Sequence, residues 1–155
     1  MSESERLATQ LERGLTGGAW HGPSWKEILD GLGRDDAVRR PVAGAHTIAE
    51  IAHHTATWNE VVRRRLDGES PQVADAENWP TTDPADDAAW DAVTARLFAS
   101  GKALVRRIRT FPPERLDERR PGLEGTWFEM IAGVLQHVLY HAGQAALLRK
   151  GAGNG

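Results

Sequence analysis

Histidine is the residue of this chain best suited to chemistry near neutral pH, because the sequence contains no cysteine. The six histidines are His21, His46, His53, His54, His137 and His141. His137 and His141 are four residues apart, a spacing that puts two imidazoles one turn apart on the same face of a helix. Both rings could then reach one metal ion. A pair of ordinary, partly buried histidines would have the same spacing, so the pair alone does not decide between the two.

A third imidazole is available from an earlier helical stretch, at His53 or His54. His54 shares one broad face with Ile51 and Trp58, whereas His53 is rotated by about 100° from it. Helix bundles build metal sites from side chains on facing helices. We therefore predict that His54, His137 and His141 bind one divalent ion and that His53 is a flanking or surface residue.

Composition limits what else the chain can do. Its 155 residues are 40% apolar and 26% charged, which is typical of one soluble domain, here expected to span residues 1–155. The net charge of -3 argues against a nucleic-acid partner. The absence of cysteine excludes disulfides, thiolate nucleophiles and cysteine-based zinc sites. We expect no membrane contact and a cytoplasmic location, because no apolar run approaches about 20 residues and the first ten residues are polar.

Hydrophobic spacing predicts an all-α fold, a four-helix bundle with a short extra helix. The long helices are expected at about residues 3–15, 47–68, 86–109 and 125–150, and the short one from Ser24 to Gly31 or Gly33. A long loop is predicted from Asp67 to Ala85, and loops of this length are often functional. Gly101 falls in the apolar face of the third long helix, where it would allow a close helix approach.

The start of the second long helix fits a capping box, with Thr47 as N-cap and Glu50 at the third helical position. Capping accounts for Glu50. Because Glu50 also lies one turn before His54, the alternative is a carboxylate that supports the metal ligands.

The sequence resembles the DinB / YfiT superfamily in two segments. One is Thr-Ile-Ala-Glu-Ile-Ala-His-His, residues 47–54, followed by Trp58. The other is His-Val-Leu-Tyr-His-Ala-Gly-Gln, residues 137–144. The resemblance implies a four-helix bundle in which one histidine of the second long helix and two of the last helix bind a divalent ion. These positions match His54, His137 and His141.

Further residues are candidates for the surroundings of the ion. Gln144, one turn beyond His141, could orient that ring or contact substrate. His21 and His46 lie at the ends of irregular segments that could fold over the site. Either could then be a proton shuttle; the alternative is an exposed or capping loop residue. Aromatic side chains could line an apolar pocket or be plain core; they are Trp20, Trp58, Trp79 and Tyr140.

Three imidazoles leave a coordination position open, which is typical of catalytic rather than structural zinc. The resemblance implies a metal-dependent hydrolase or a thiol-dependent S-transferase or isomerase acting on a small molecule. The ion is predicted to be zinc or nickel, with iron or manganese as alternatives. For the transfer reaction, a low-molecular-weight thiol is predicted as the second substrate or cofactor. The alternative function is a non-catalytic metal-binding bundle with a structural or stress-response role. The resemblance also implies a homodimer. No residue is assigned as catalytic, and the substrate is unknown.

Overall fold

Four long helices dominate the computed structural model of the chain, which describes residues 1–80 and 83–153. They are α1 (Glu3–Thr16), α4 (Ile48–Leu66), α6 (Asp87–Arg109) and α7 (Trp127–Gly151). Three short helices lie between them: α2 (Trp25–Leu29), α3 (Arg34–Ala37) and α5 (Asp75–Asn78). A single 3₁₀ turn, Pro113–Arg115, precedes α7. The described residues contain no β-strand, so the predicted all-α class is confirmed.

Hydrogen bonds from side chains decide where the helices begin. Thr47 Oγ1 accepts from the amide of Glu50 at 3.1 Å, and the Glu50 carboxylate accepts from the amide of Thr47 at 2.7 Å. This reciprocal pair is the capping box predicted for α4, and it satisfies two amides that the helix itself leaves unpaired. Equivalent boxes begin α1, α2 and α7 at Ser2, Ser24 and Thr126.

The long helices surround one hydrophobic core. α4 packs against α6 and α7, and α1 packs against the same two helices from the other side. Leucine, isoleucine and valine side chains of all four helices are buried between them. The short helix α2 joins this core through Trp25, which is fully buried and donates its indole N–H to the Val138 carbonyl of α7 at 3.1 Å. The arrangement holds α4 and α7, the two histidine-bearing helices, side by side.

Two glycines allow α1 to lie close to its neighbours. A Cβ at Gly101 would come within 2.6 Å of Leu15 Cδ1, and one at Gly14 within 2.7 Å of Leu139 Cδ2. The first contact joins α1 to α6 and the second joins α1 to α7. The close approach expected at Gly101 is therefore confirmed.

The connection between α4 and α6 is more ordered than predicted. The sequence predicted a loop from Asp67 to Ala85, but the structure has the short helix α5 within it. Contacts with α4 explain this helix: Thr57 Oγ1 donates to the Glu77 carbonyl at 3.1 Å, and Trp58 Nε1 donates to Asn78 Oδ1 at 2.9 Å. Hydrophobic spacing cannot reveal a four-residue helix that is held by polar contacts of this kind. Residues 81 and 82 of the predicted loop lie outside the described residues.

None of the helices that the structure describes is both long enough and apolar enough to cross a membrane.

The packing at Gly101 predicts opposite effects of substitution at two helical glycines. Gly101→Leu should lower the free energy of unfolding by about 1–3 kcal/mol, because the added side chain overlaps buried Leu15. Gly133→Ala in α7 should raise it by up to about 1 kcal/mol, because its Cβ meets no atom of another element within 4 Å and alanine favours helix. Urea unfolding followed by circular dichroism measures both. Equal stability of Gly101→Leu and the wild type would contradict the close approach of α1 and α6.

Candidate metal centre

Three imidazoles from two helices converge between α4 and α7. His54 comes from α4, and His137 and His141 come from successive turns of α7. One ring nitrogen of each lies within 4.8 Å of one nitrogen of each of the others. The closest pair is His54 Nε2 and His137 Nε2, which are 2.9 Å apart. His54 and His141 are both only 6% exposed, so the cluster is largely removed from water.

Two of the rings are held by acceptors on their outer nitrogens. His54 Nδ1 lies 2.9 Å from the Asn78 carbonyl, and His141 Nδ1 lies 2.6 Å from Gln144 Oε1. Since a carbonyl oxygen can only accept, each Nδ1 carries the hydrogen and donates it. In the neutral ring Nε2 then keeps its lone pair, which is the arrangement that ring nitrogens adopt when they bind a metal.

The third ring, that of His137, is the least satisfied. Its Nδ1 is buried and has no hydrogen-bond partner. Its pKa is lowered to about 3, mainly by burial and also by the charges of the neighbouring His141 and His54. Burial is also the main cause of the lowered pKa of His54 and of His141. All three rings are therefore uncharged at neutral pH, the state in which imidazole binds a metal.

The donor set fits a divalent transition metal. Zinc holds imidazole nitrogens at about 2.0–2.1 Å, which places the nitrogens on one tetrahedral ion about 3.4 Å apart. The separations in the cluster, 2.9 Å for one pair and no more than 4.8 Å for any pair, bracket that value. Within residues 1–80 and 83–153, no carboxylate joins the group. A set of three nitrogens suits zinc, nickel, copper or iron better than magnesium or calcium, which prefer oxygen.

Indole rings enclose the cluster on the α5 side. Trp79 stacks on His54 with ring centroids 3.8 Å apart and planes within 4° of parallel. Its other face stacks on His46 at 3.7 Å and 2°. Trp58 approaches His54 and His137 edge-on, with centroids 6.4 and 6.2 Å away. These large apolar rings exclude water from that side and restrict the rotation of His54.

His141 also borders a pocket of about 450 Å³. Its polar lining includes His46, His141 and Gln144. The apolar walls are formed by side chains from the segment before α4, from α4, from the connection and from α7; they include Val42, Ile51, Trp79, Tyr140, Leu147 and Leu148. His141 thus belongs both to the histidine cluster and to a pocket that a small molecule can enter.

The other predicted site residues divide into two groups. Gln144 contacts His141 directly, and Tyr140 lies beside it with ring centroids 5.2 Å apart. Glu50 does not touch the three rings; it caps α4 and contacts Arg40 and His46 instead. His46 lines the pocket, and only Trp79 separates its ring from that of His54.

Two residues of the turn between α1 and α2 lie apart from the site. Trp20 is fully exposed, so both alternatives given for it, pocket lining and core, are wrong. His21, next to it, is exposed too and does not line the pocket. His53 points away from the cluster toward α6, where Arg96 lies 3.3 Å from its Nε2. The rotation expected between His53 and His54 is confirmed.

Sequence reasoning missed the part played by Asn78. Its carbonyl orients His54, and its side chain accepts from Trp58 Nε1. Every residue has a main-chain carbonyl, so the sequence does not show which one accepts a hydrogen bond from a histidine. The only signal was the length of the connection and the Trp79-Pro80 pair within it.

Comparison with known proteins agrees with this architecture. The model of the DinB superfamily matches residues 20–145, which include both helices that carry the three histidines. The chain therefore belongs to the DinB superfamily. Comparison with curated proteins and with solved structures finds no match.

Neighbouring histidines on α4 provide a matched test of the cluster. His54→Ala should weaken the binding of zinc by at least about 100-fold, because it removes one of three donors. His53→Ala should bind like the wild type, because that ring faces Arg96. Titration of untagged, metal-free protein with zinc against a competing chelator measures both. Equal affinities of the two variants would show that the ion, if any, binds elsewhere.

Burial of the rings predicts that acid destabilises the metal-free protein. An unfolded imidazole has a pKa of about 6.5, whereas folded His137 has a pKa of about 3. Between these values the unfolded chain takes up a proton that the folded chain does not, so stability is full above pH 6.5 and falls as the pH decreases toward 3. For His137 alone the free energy of unfolding should be about 2 kcal/mol lower at pH 5 than at pH 7.5.

The measurement is urea unfolding of chelator-treated protein at several pH values, with His137→Gln as the comparison. The variant should show a weaker dependence on pH than the wild type. If the free energy of unfolding changed equally with pH in both proteins between pH 7.5 and 5, the burial of an uncharged His137 would be contradicted.

Proposed function

We propose that this member of the DinB superfamily is a metal-dependent hydrolase that acts on a small, uncharged, largely apolar molecule. His54, His137 and His141 would hold the ion, for which zinc or nickel is proposed. The substrate would enter the pocket beside His141.

The observation that carries this proposal is that His141, a member of the histidine cluster, also lines the pocket of about 450 Å³. Structural zinc sites are closed by four protein ligands, whereas catalytic sites combine three with an open position. Here three imidazoles converge, and His141 is shared between the cluster and the pocket wall. A small molecule in that pocket would therefore lie against His141, with Trp79 forming part of the wall.

A bound ion would act as a Lewis acid that polarises a carbonyl oxygen and favours the ionisation of water at neutral pH. The protein would supply the rest. Asn78 and Gln144 fix the rings of His54 and His141 by accepting from their Nδ1–H groups. Trp79 and Trp58 exclude bulk water from the buried side. The apolar walls of the pocket would hold the substrate with its reacting carbonyl toward His141.

The lining of the pocket favours hydrolysis of a neutral substrate over transfer to an anionic thiol. Among the described residues, no lysine or arginine lines it. Small peptide thiols carry carboxylates and phosphorylated metabolites carry phosphates, and apart from the ion the described lining of the pocket offers no cation that would offset the cost of burying these groups. Val42, Ile51 and Leu148 would instead favour an aliphatic or aromatic acyl group.

A set of p-nitrophenyl compounds tests the proposal. Zinc- or nickel-loaded protein should hydrolyse p-nitrophenyl butyrate with a kcat/KM at least about 10-fold above that for p-nitrophenyl acetate, because the longer acyl chain buries more apolar surface in the pocket. Added glutathione should not raise the rate. Liberated p-nitrophenolate is followed by its absorbance.

His141→Ala should reduce the metal-dependent rate to background, while His53→Ala, one helix face away, keeps it. The result against hydrolysis would be a metal-loaded wild type with no turnover that His141→Ala abolishes. Strong loss of melting temperature on chelation, with no such turnover, would support the non-catalytic bundle in which the ion ties α4 to α7.

A further inference from the structure

We propose that His46, oriented by Glu50, is the residue that transfers protons in the pocket beside the three histidines. The role rests on the proposed hydrolysis, since it supplies the base which that reaction needs. His46 belongs to the turn that precedes α4, outside the histidine cluster itself.

Two contacts fix the ring of His46. Its Nδ1 lies 3.2 Å from Glu50 Oε2, and its face stacks on Trp79 with centroids 3.7 Å apart. Since an ionised carboxylate can only accept, Nδ1 carries the hydrogen and donates it to Glu50. In the neutral ring, Nε2 is then the nitrogen that keeps a lone pair. The side chain is 46% exposed and lines the same pocket as His141, so its free edge is accessible to a molecule bound there.

Glu50 is held firmly enough to orient this ring. Its side chain is 11% exposed and accepts from Arg40 Nη2 and from the Thr47 amide, each at 2.7 Å. Burial by itself would raise the pKa of Glu50, but the hydrogen bonds from Arg40 and Thr47, with the charge of Arg40, outweigh it and hold the pKa below its usual value. Glu50 is therefore an ionised carboxylate with a fixed position. A carboxylate on Nδ1 selects the tautomer of histidine that can accept a proton on Nε2.

Among the described residues around His46, Glu50 is the charged group against its ring. Glu50 of α4 lies on Nδ1, and Arg40 lies behind Glu50, where it also donates to the Ala45 carbonyl at 2.9 Å. His141 of α7 faces the same pocket. His54 of α4 is separated from His46 by the indole ring of Trp79. The carboxylate is thus the charged group in direct contact with the ring of His46.

The proton balance of the reaction is simple. As water oxygen bonds to the acyl carbon, His46 Nε2 accepts the proton that the water loses. As the bond from that carbon to the leaving oxygen or nitrogen breaks, the same Nε2–H donates the proton to the leaving atom. His46 ends neutral, one water is consumed, and no oxidant or reductant takes part.

A purely structural role for His46 would be to stack on Trp79. His46→Phe separates the two roles, because phenylalanine keeps an aromatic ring but has no nitrogen. In zinc-loaded protein we expect His46→Phe and His46→Gln each to lower kcat for p-nitrophenyl butyrate by about 100- to 1,000-fold, with KM within about two-fold and unchanged zinc content. The control is His21→Gln, a change in an exposed turn, which should keep the wild-type kcat.

A second measurement does not depend on turnover. In ¹⁵N spectra of the full chain, metal-free and zinc-loaded, recorded at a pH at which the ring is neutral, His46 should show hydrogen on Nδ1 and a lone pair on Nε2. Its signals are those absent from His46→Phe. Glu50→Gln should increase the fraction with hydrogen on Nε2. Glu50 also caps α4, so Glu50→Gln is compared with the wild type only if the two proteins have the same circular dichroism spectrum. The tautomer of His46 in the wild type decides the question even without this variant.

The possible results separate this proposal from the proposed function. Wild-type kcat in His46→Phe, with metal-dependent turnover intact, would overturn the role of His46 and leave the hydrolase standing. A wild-type His46 with hydrogen on Nε2 would overturn the orientation by Glu50. Absence of metal-dependent hydrolysis in the wild type, even with the expected tautomer, would overturn the hydrolase and the proton transfer that rests on it.

Discussion

The burial of three uncharged imidazoles between α4 and α7 is the constraint on which the rest of the structure depends. A buried ring nitrogen costs free energy unless it has a partner. Asn78 and Gln144 satisfy the outer nitrogens of His54 and His141, which leaves the inner nitrogens facing one another. A divalent ion is the partner that satisfies three such lone pairs at once. The protein thus keeps a cluster that is costly without metal in the middle of an otherwise well-packed bundle.

The bundle itself is built to hold these helices in place. Four reciprocal capping boxes set where α1, α2, α4 and α7 begin, and therefore which residues face inward. The connection between α4 and α6 then adds what the helices lack. Its short helix α5 docks on α4, so that Asn78 and Trp79 lie against His54. One segment accordingly orients a histidine, shields the cluster from water and forms a wall of the pocket.

Helical spacing predicted much of this. The period of apolar residues revealed the four long helices, and the spacing of His137 and His141 on α7 put both rings on one face. The phase of α4, together with the family resemblance, distinguished His54 from His53. Contacts between distant segments were not predictable, since they depend on how a connection folds back: the stack of His46, Trp79 and His54 is the main example. Trp20 shows the reverse, an aromatic residue that its turn leaves in solvent. The single domain, the homodimer and the absence of a nucleic-acid partner stay predictions.

The central claim is that three histidines hold one ion and leave a position open toward the pocket. X-ray absorption spectroscopy of zinc-loaded protein, with and without added bromide, tests it most directly. The account predicts three imidazoles on each zinc and a bromide shell that appears when bromide is added, because the heavier ion can take the open position. Four protein ligands and no bromide shell would contradict an open site, and fewer than three imidazoles would contradict the cluster as its location.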